Sequence, residues 1–125
     1  MRFITIFILL MVTTTSWAEL PSATDTAVTQ TLSSGKPTVI DLGARACIPC
    51  KKMAPILEGL RQELKGKANV LFIDVWENNS AAEKFRIQMI PTQIFFNAHG
   101  KEVKRHTGFI DKGDILKELK ALGLK

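Results

Sequence analysis

From residue 23 onward, short apolar runs alternate with segments whose apolar residues recur every three or four positions. Ala23 to Leu32 is largely polar with Ala27, Val28 and Leu32 on one side, and Ser33-Ser34-Gly35 followed by Pro37 ends it, which predicts a helix. Thr38 to Leu42 is β-branched and mostly apolar between Pro37 and Gly43, the pattern of a central buried strand. From Cys47 or Ile48 to about Lys65, Met53, Ile56, Leu57, Leu60 and Leu64 keep helical spacing until Gly66. Pro55 falls inside that helix and is expected to kink it, because it lacks an N–H. Asn69 to Val75 reads as a second buried strand. Ser80-Ala81-Ala82-Glu83 has the form of a capping box opening a short helix through Phe85. Ile90-Pro91 then interrupts, and Thr92 to Asn97 reads as a third strand. Asn97 to Gly100 is a turn, Lys101 to His106 alternates loosely around Val103 as an edge strand does, and Asp111 to Leu122 carries Ile115, Leu116, Leu119 and Leu122 on one helical face.

The order is helix, strand, helix, strand, helix, strand, strand, helix. A helical crossover makes the first two strands parallel neighbours, and the short turn makes the last two an antiparallel hairpin. The expected fold class is α/β: a mixed sheet of four strands, or five, with helices on both faces, in one domain over residues 19–125.

The first 18 residues have a different character. Met1-Arg2 is followed by Phe3 to Val12, apolar apart from Thr5, and then by a short polar segment with Ser16 and Ala18 at the small-residue positions of a cleavage site. Residues 1–18 therefore read as a secretory signal peptide cleaved after Ala18. The apolar run is well short of the roughly 20 residues of a membrane-spanning helix. No cysteine stands near the cleavage point to carry a lipid. The expected location is outside the cytosol, in the periplasm.

Charge narrows the partners only a little. The chain has 125 residues, 17 Lys+Arg against 12 Asp+Glu, and a net charge of +5. No basic run exceeds the pair Lys51-Lys52, and no aromatic residues are interleaved with the basic ones, so no nucleic-acid surface is expected.

Two cysteines are too few for a disulfide scaffold, so the question is what one close pair, Cys47 and Cys50, does. At the start of a helix the first sulfur lies over unpaired N–H groups and the positive end of the helix dipole, which favour a thiolate. Cys47 is then the nucleophile. Cys50, one turn further in, resolves a mixed disulfide on Cys47. Pro49 suits the first helical turn, where a missing N–H costs little. Three other uses of the pair compete. A purely structural disulfide over so short a loop restricts the unfolded chain very little. A zinc site needs two more ligands, and His99 and His106 lie on a hairpin without finger spacing. A c-type haem site requires His after the second cysteine, where Lys51 stands. No metal or cofactor is expected beyond the cysteine pair.

Val39-Ile40-Asp41-Leu42, then Cys47 through Pro55, then Ile90-Pro91-Thr92, then Gly100 and Gly108 resemble the thioredoxin family in order and in near-identical spacing. The resemblance spans nearly all of the chain after residue 18 and implies the thioredoxin fold. It implies a cis Ile90–Pro91 bond beside the cysteines, with the Ile90 backbone, Pro91, Ile48 and Pro49 forming the substrate groove. Asp41 matches the family's buried carboxylate. A lone Asp among apolar neighbours holds its proton more tightly and is placed to exchange it with Cys50 through water.

The chain departs from the family pattern at several places. Ala46 stands where Trp is usual, Ile48 where Gly is usual, Gly43 replaces a Trp after the buried Asp, and Phe72 replaces a Lys beside it. Arg45 is close enough to favour the thiolate only if it turns inward, and a solvated side chain is its default. The Ile48-Pro49 pair supplies no donor to stabilise the thiolate as strongly oxidising relatives do, so the site resembles the reducing branch. The resulting expectation is a monomeric exported protein-disulfide reductase, acting on exported proteins with disulfides and fed by a membrane thiol-disulfide electron transporter. The alternatives are an oxidase or isomerase, or a binding module with incidental redox activity.

Overall fold

The computed structural model describes residues 19–125; the signal-peptide reading of residues 1–18 lies outside the described residues. Helix α1 (Asp25–Leu32) is followed by β1 (Thr38–Gly43), α2 (Ile48–Glu63), β2 (Asn69–Asp74), α3 (Asn79–Lys84), β3 (Thr92–Phe96), β4 (Glu102–Thr107) and α4 (Lys112–Ala121). The sheet order is β2-β1-β3-β4. β1 runs parallel to β2 and antiparallel to β3, and β3 runs antiparallel to β4. The fold is the α/β thioredoxin fold, a mixed four-stranded sheet with helices on both faces. A fifth strand is reduced to a single bridge, Ser22 to Phe72, on the outer edge of β2.

Every residue of β1 and β3 is buried, as their apolar runs require of strands covered on both sides. Alternation along the strands divides the core in two. Val39, Val70, Phe72 and Phe95 pack with Met53, Leu57 and Leu60 of α2 and Ile115 and Leu119 of α4. Ile40, Leu42, Ile73 and Ile94 face the other way, with Val28 of α1 and Ala81 of α3. Gly100 fits the β3–β4 turn under the end of α1: its φ is +76°, and a Cβ there would meet the Leu32 carbonyl oxygen at 2.6 Å.

One local expectation is revised. α3 is capped by Asn78, whose side-chain oxygen accepts from the Ala81 N–H, while the Ser80 hydroxyl donates to that same oxygen. An Asx cap two residues earlier displaces the Ser80 capping box. α2 remains one helix across Pro55.

Parallel β1, β2 and β4 all end at the edge of the sheet where antiparallel β3 begins. The segments leaving or entering that edge therefore meet there: the start of α2 after β1, the loop after β2, Ile90-Pro91 before β3, and Gly108-Phe109 after β4.

Candidate functional site

Cys47 is the N-cap of α2, with no side chain capping the helix, and Pro49 lies in the first turn. The first-turn amides of Ile48 and Cys50 have no intrahelical acceptor and face the Cys47 end of the helix. Cys47 and Cys50 form a disulfide, with Cα atoms 5.1 Å apart. The two sulfurs differ in access: Cys47 is half-buried, whereas Cys50 is only 5% exposed. Ile48 and Pro49 are exposed beside the pair.

Asp41 lies in the middle of β1 and is fully buried. Its Oδ1 accepts a 2.9 Å hydrogen bond from Nε2 of Gln93, and Oδ2 has no hydrogen-bond partner. Burial pushes its pKa up to about 7, with the Gln93 hydrogen bond pulling in the opposite direction. Phe72 is directly opposite Asp41 on β2, so no cation offsets the desolvation from that side. A cavity of about 20 Å³ is lined by Asp41, Cys50, Ala44, Leu57 and Phe72. That is room for about one water molecule between the carboxyl and the inner sulfur.

Arg45 is held rather than freely solvated. Its guanidinium donates to Glu19 Oε2 at 3.0 Å and to the Leu20 carbonyl at 2.9 Å, and stacks 5.1 Å over the Phe72 ring. Its backbone N–H donates to Asp74, whose carboxylate also accepts from the N–H groups of Trp76 and Glu77. Asp74 thus ties the loop before the cysteines to the loop after β2.

The Ile90–Pro91 peptide bond is cis. The Pro91 carbonyl accepts from the Gly108 N–H at 2.7 Å, and the Thr92 hydroxyl donates to the Met89 carbonyl. These bonds fix the Met89–Thr92 segment and Gly108 at the edge of the sheet that carries the cysteines.

The site thus brings Cys47, Cys50, Asp41, Ile48, Pro49, Ile90 and Pro91 to one end of the sheet. Four residues escaped the reading of the sequence. Trp76, Met89 and Phe109 are 59, 60 and 46% exposed and flank the same edge as Ile48, each from a different loop. Gln93 is the fourth, and its signal was available: a lone amide side chain in the otherwise apolar Ile94-Phe95-Phe96 strand.

Comparison with known proteins agrees with this geometry. A model of the Thioredoxin family matches residues 19–121. Thioredoxin of Staphylococcus saprophyticus is 41% identical over 92 residues, which cover 74% of this chain and 86% of that protein. A bifunctional thioredoxin reductase/thioredoxin of Mycobacterium leprae is 40% identical over 88 residues, 70% of this chain but 19% of that protein. The solved structure of a mutant thioredoxin from Halobacterium salinarum superposes with a TM-score of 0.73 at 26% identity, covering 82% of this chain and 88% of that one.

Proposed function

The chain belongs to the thioredoxin family, and from that premise we propose that it is an exported reductase of protein disulfides. The observation that carries this reading is the contrast between the two sulfurs, an accessible Cys47 at a helix N-terminus and a buried Cys50 sharing a small cavity with Asp41.

In the dithiol form, the Cys47 thiolate attacks one sulfur of a substrate disulfide. The S–S bond of the substrate breaks, one substrate thiolate leaves, and Cys47 is joined to the other substrate sulfur. Asp41 then takes the proton of Cys50, directly or through one water, and the Cys50 thiolate attacks the Cys47 sulfur. The second substrate thiolate leaves and is protonated from Asp41 or solvent. Two electrons have passed to the substrate, and the Cys47–Cys50 disulfide remains. Pro91, the Ile90 backbone, Ile48 and Pro49 border the groove in which an extended substrate segment lies.

The disulfide must be reduced again. The Mycobacterium leprae relative is named as both a reductase and a thioredoxin, and by analogy this chain takes electrons from a reducing partner. The leader pattern of residues 1–18 supports export of residues 19–125, which we read as a single domain acting as a monomer. An exported protein requires that partner to deliver electrons across the membrane, as a thiol-disulfide transporter does, and its substrates are exported proteins with disulfides.

Cys47→Ser separates this reading from that of a binding module. With a disulfide-bonded protein substrate and a dithiol reductant, the wild type is expected to turn over and the variant to lose all turnover above the uncatalysed rate. A variant that keeps its activity would overturn the reading.

A further inference from the structure

Four residues lie directly across the sheet from one another, one from each strand: Phe72, Asp41, Gln93 and His106. All four project to the α2 and α4 side. The last three form a continuous hydrogen-bonded chain. Gln93 Nε2 donates to Asp41 Oδ1 at 2.9 Å, and Gln93 Oε1 stands 2.9 Å from Nδ1 of His106. Gln93 is fully buried, and His106 is half-buried on the edge strand. The buried acid is thereby connected to a side chain that solvent reaches at the sheet's far edge.

The chemistry of the groups gives the chain a direction. An ionised carboxylate only accepts, so the Gln93 amide must turn its NH₂ toward Asp41 and its carbonyl toward His106. The carbonyl only accepts in turn, so His106 must carry its proton on Nδ1. With no donor at position 106, the buried Gln93 carbonyl would lack a partner, and the amide's hydrogen bond to Asp41 would no longer be held in place from its far side.

We propose that His106 is a positioning residue for thiol-disulfide exchange: through Gln93, its Nδ1–H holds the donor that lets Asp41 release and recover the proton it exchanges with Cys50. The inference rests on the proton-transfer role of Asp41 given above. The other charged groups around His106 are engaged elsewhere. Lys104, on the same face of β4, is paired with Glu118 of α4, and Arg105, on the opposite face, is paired with Glu102. Asp111 caps α4 at the Asp114 N–H. Gln93 is the contact from β3, and it does not titrate.

The resolving step isolates the effect. A mixed disulfide between Cys47 and glutathione is formed, and its displacement by Cys50 is followed between pH 5 and 9 in the wild type and in the Asp41→Asn, His106→Leu and His106→Asn variants. Asp41→Asn is expected to remove the inflection near neutral pH. His106→Leu is expected to move the inflection to higher pH and slow the step three- to tenfold at pH 7, with less than a twofold change at pH 9. His106→Asn, whose amide supplies an N–H near the place of Nδ1, is expected to stay within twofold of wild type. If Asp41→Asn keeps the inflection, the role of Asp41 and the inference both fall. If Asp41→Asn loses it while His106→Leu keeps the wild-type profile, the inference alone falls. A measurement without any substitution is the nitrogen-15 spectrum of the His106 ring at neutral pH: protonated Nδ1 is expected, and a bare Nδ1 overturns the inference.

Discussion

Gly43 and Cys50 are so close that a Cβ on Gly43 would stand 3.2 Å from the Cys50 sulfur and 3.3 Å from its Cβ, with Asp41 Oδ2 at 3.6 Å. The glycine that departs from the family pattern thus sits where the end of β1 meets the first turn of α2. Gly43→Ala has to push that turn outward by a few tenths of an ångström. The expected cost is about 1–3 kcal/mol in denaturant unfolding, with a slower Cys50 resolving step. Alkylation of Cys47, which lies at the helix tip, is expected to change by less than about twofold.

Asp41 makes stability depend on pH. Its native pKa is raised to about 7, whereas an unfolded aspartate titrates near 4. Between about pH 4 and 7 the native state therefore holds a proton that the unfolded chain has released, so stability falls as pH rises through that window and levels off above it. Asp41→Asn removes this slope. The variant is expected to be about 2–4 kcal/mol more stable than wild type at pH 8 and to differ by less than about 1 kcal/mol at pH 4. Chemical unfolding at the two pH values is the check, and an equal difference at both would contradict the assignment.

Cys50→Ser removes the resolving thiol and leaves Cys47 at the helix tip. Incubated with a disulfide-bonded protein, this variant is expected to accumulate a covalent adduct, read as a mass increase equal to the bound partner and reversed by reductant. Wild type under the same conditions should show little of it, because intramolecular attack by Cys50 is fast. Failure of the variant to form an adduct would deny Cys47 its role as nucleophile.

Trp76, Met89 and Phe109 are exposed apolar residues on loops at the same end of the sheet as Ile48, and under the proposed function they extend the border on which a substrate segment lies. Alanine at each is expected to raise KM for a protein disulfide about three- to tenfold, the loss of roughly 1 kcal/mol of contact, with kcat within about twofold. Reduction of a small dithiol-reagent disulfide, too short to touch the border, should not change. Equal losses for both substrates would place these residues in the chemistry and not in docking.

The strands and the cysteine pair at the start of a helix were legible because each is a local pattern. Thr38 to Leu42 and Thr92 to Asn97 are apolar runs of strand length, and Cys47-Ile48-Pro49-Cys50 opens a segment of helical period. What escaped depends on register. Gln93 is opposite both Asp41 and His106 only because β1, β3 and β4 align residue for residue at that row, and spacing along the chain does not specify that alignment. Trp76, Met89 and Phe109 come from loops many residues apart and reach the same end of the sheet only through the strand order. Arg45 was read as solvated because its partners, Glu19 and Leu20, precede it by some 25 residues. The cap of α3 was misplaced for a local reason: Asn78 and Ser80 are both good caps, and the amide oxygen of Asn78 takes the Ala81 N–H.

The most direct test of the central claim is the equilibrium of the Cys47–Cys50 pair against defined thiol-disulfide buffers, read by alkylation of the free thiols. A reducing site is expected, with a potential near roughly −270 mV, because Ile48 and Pro49 offer the Cys47 thiolate no side-chain donor. A value near roughly −120 mV would mean that the reduced form is strongly stabilised. The protein would then donate disulfides, and the reductase assignment would be wrong.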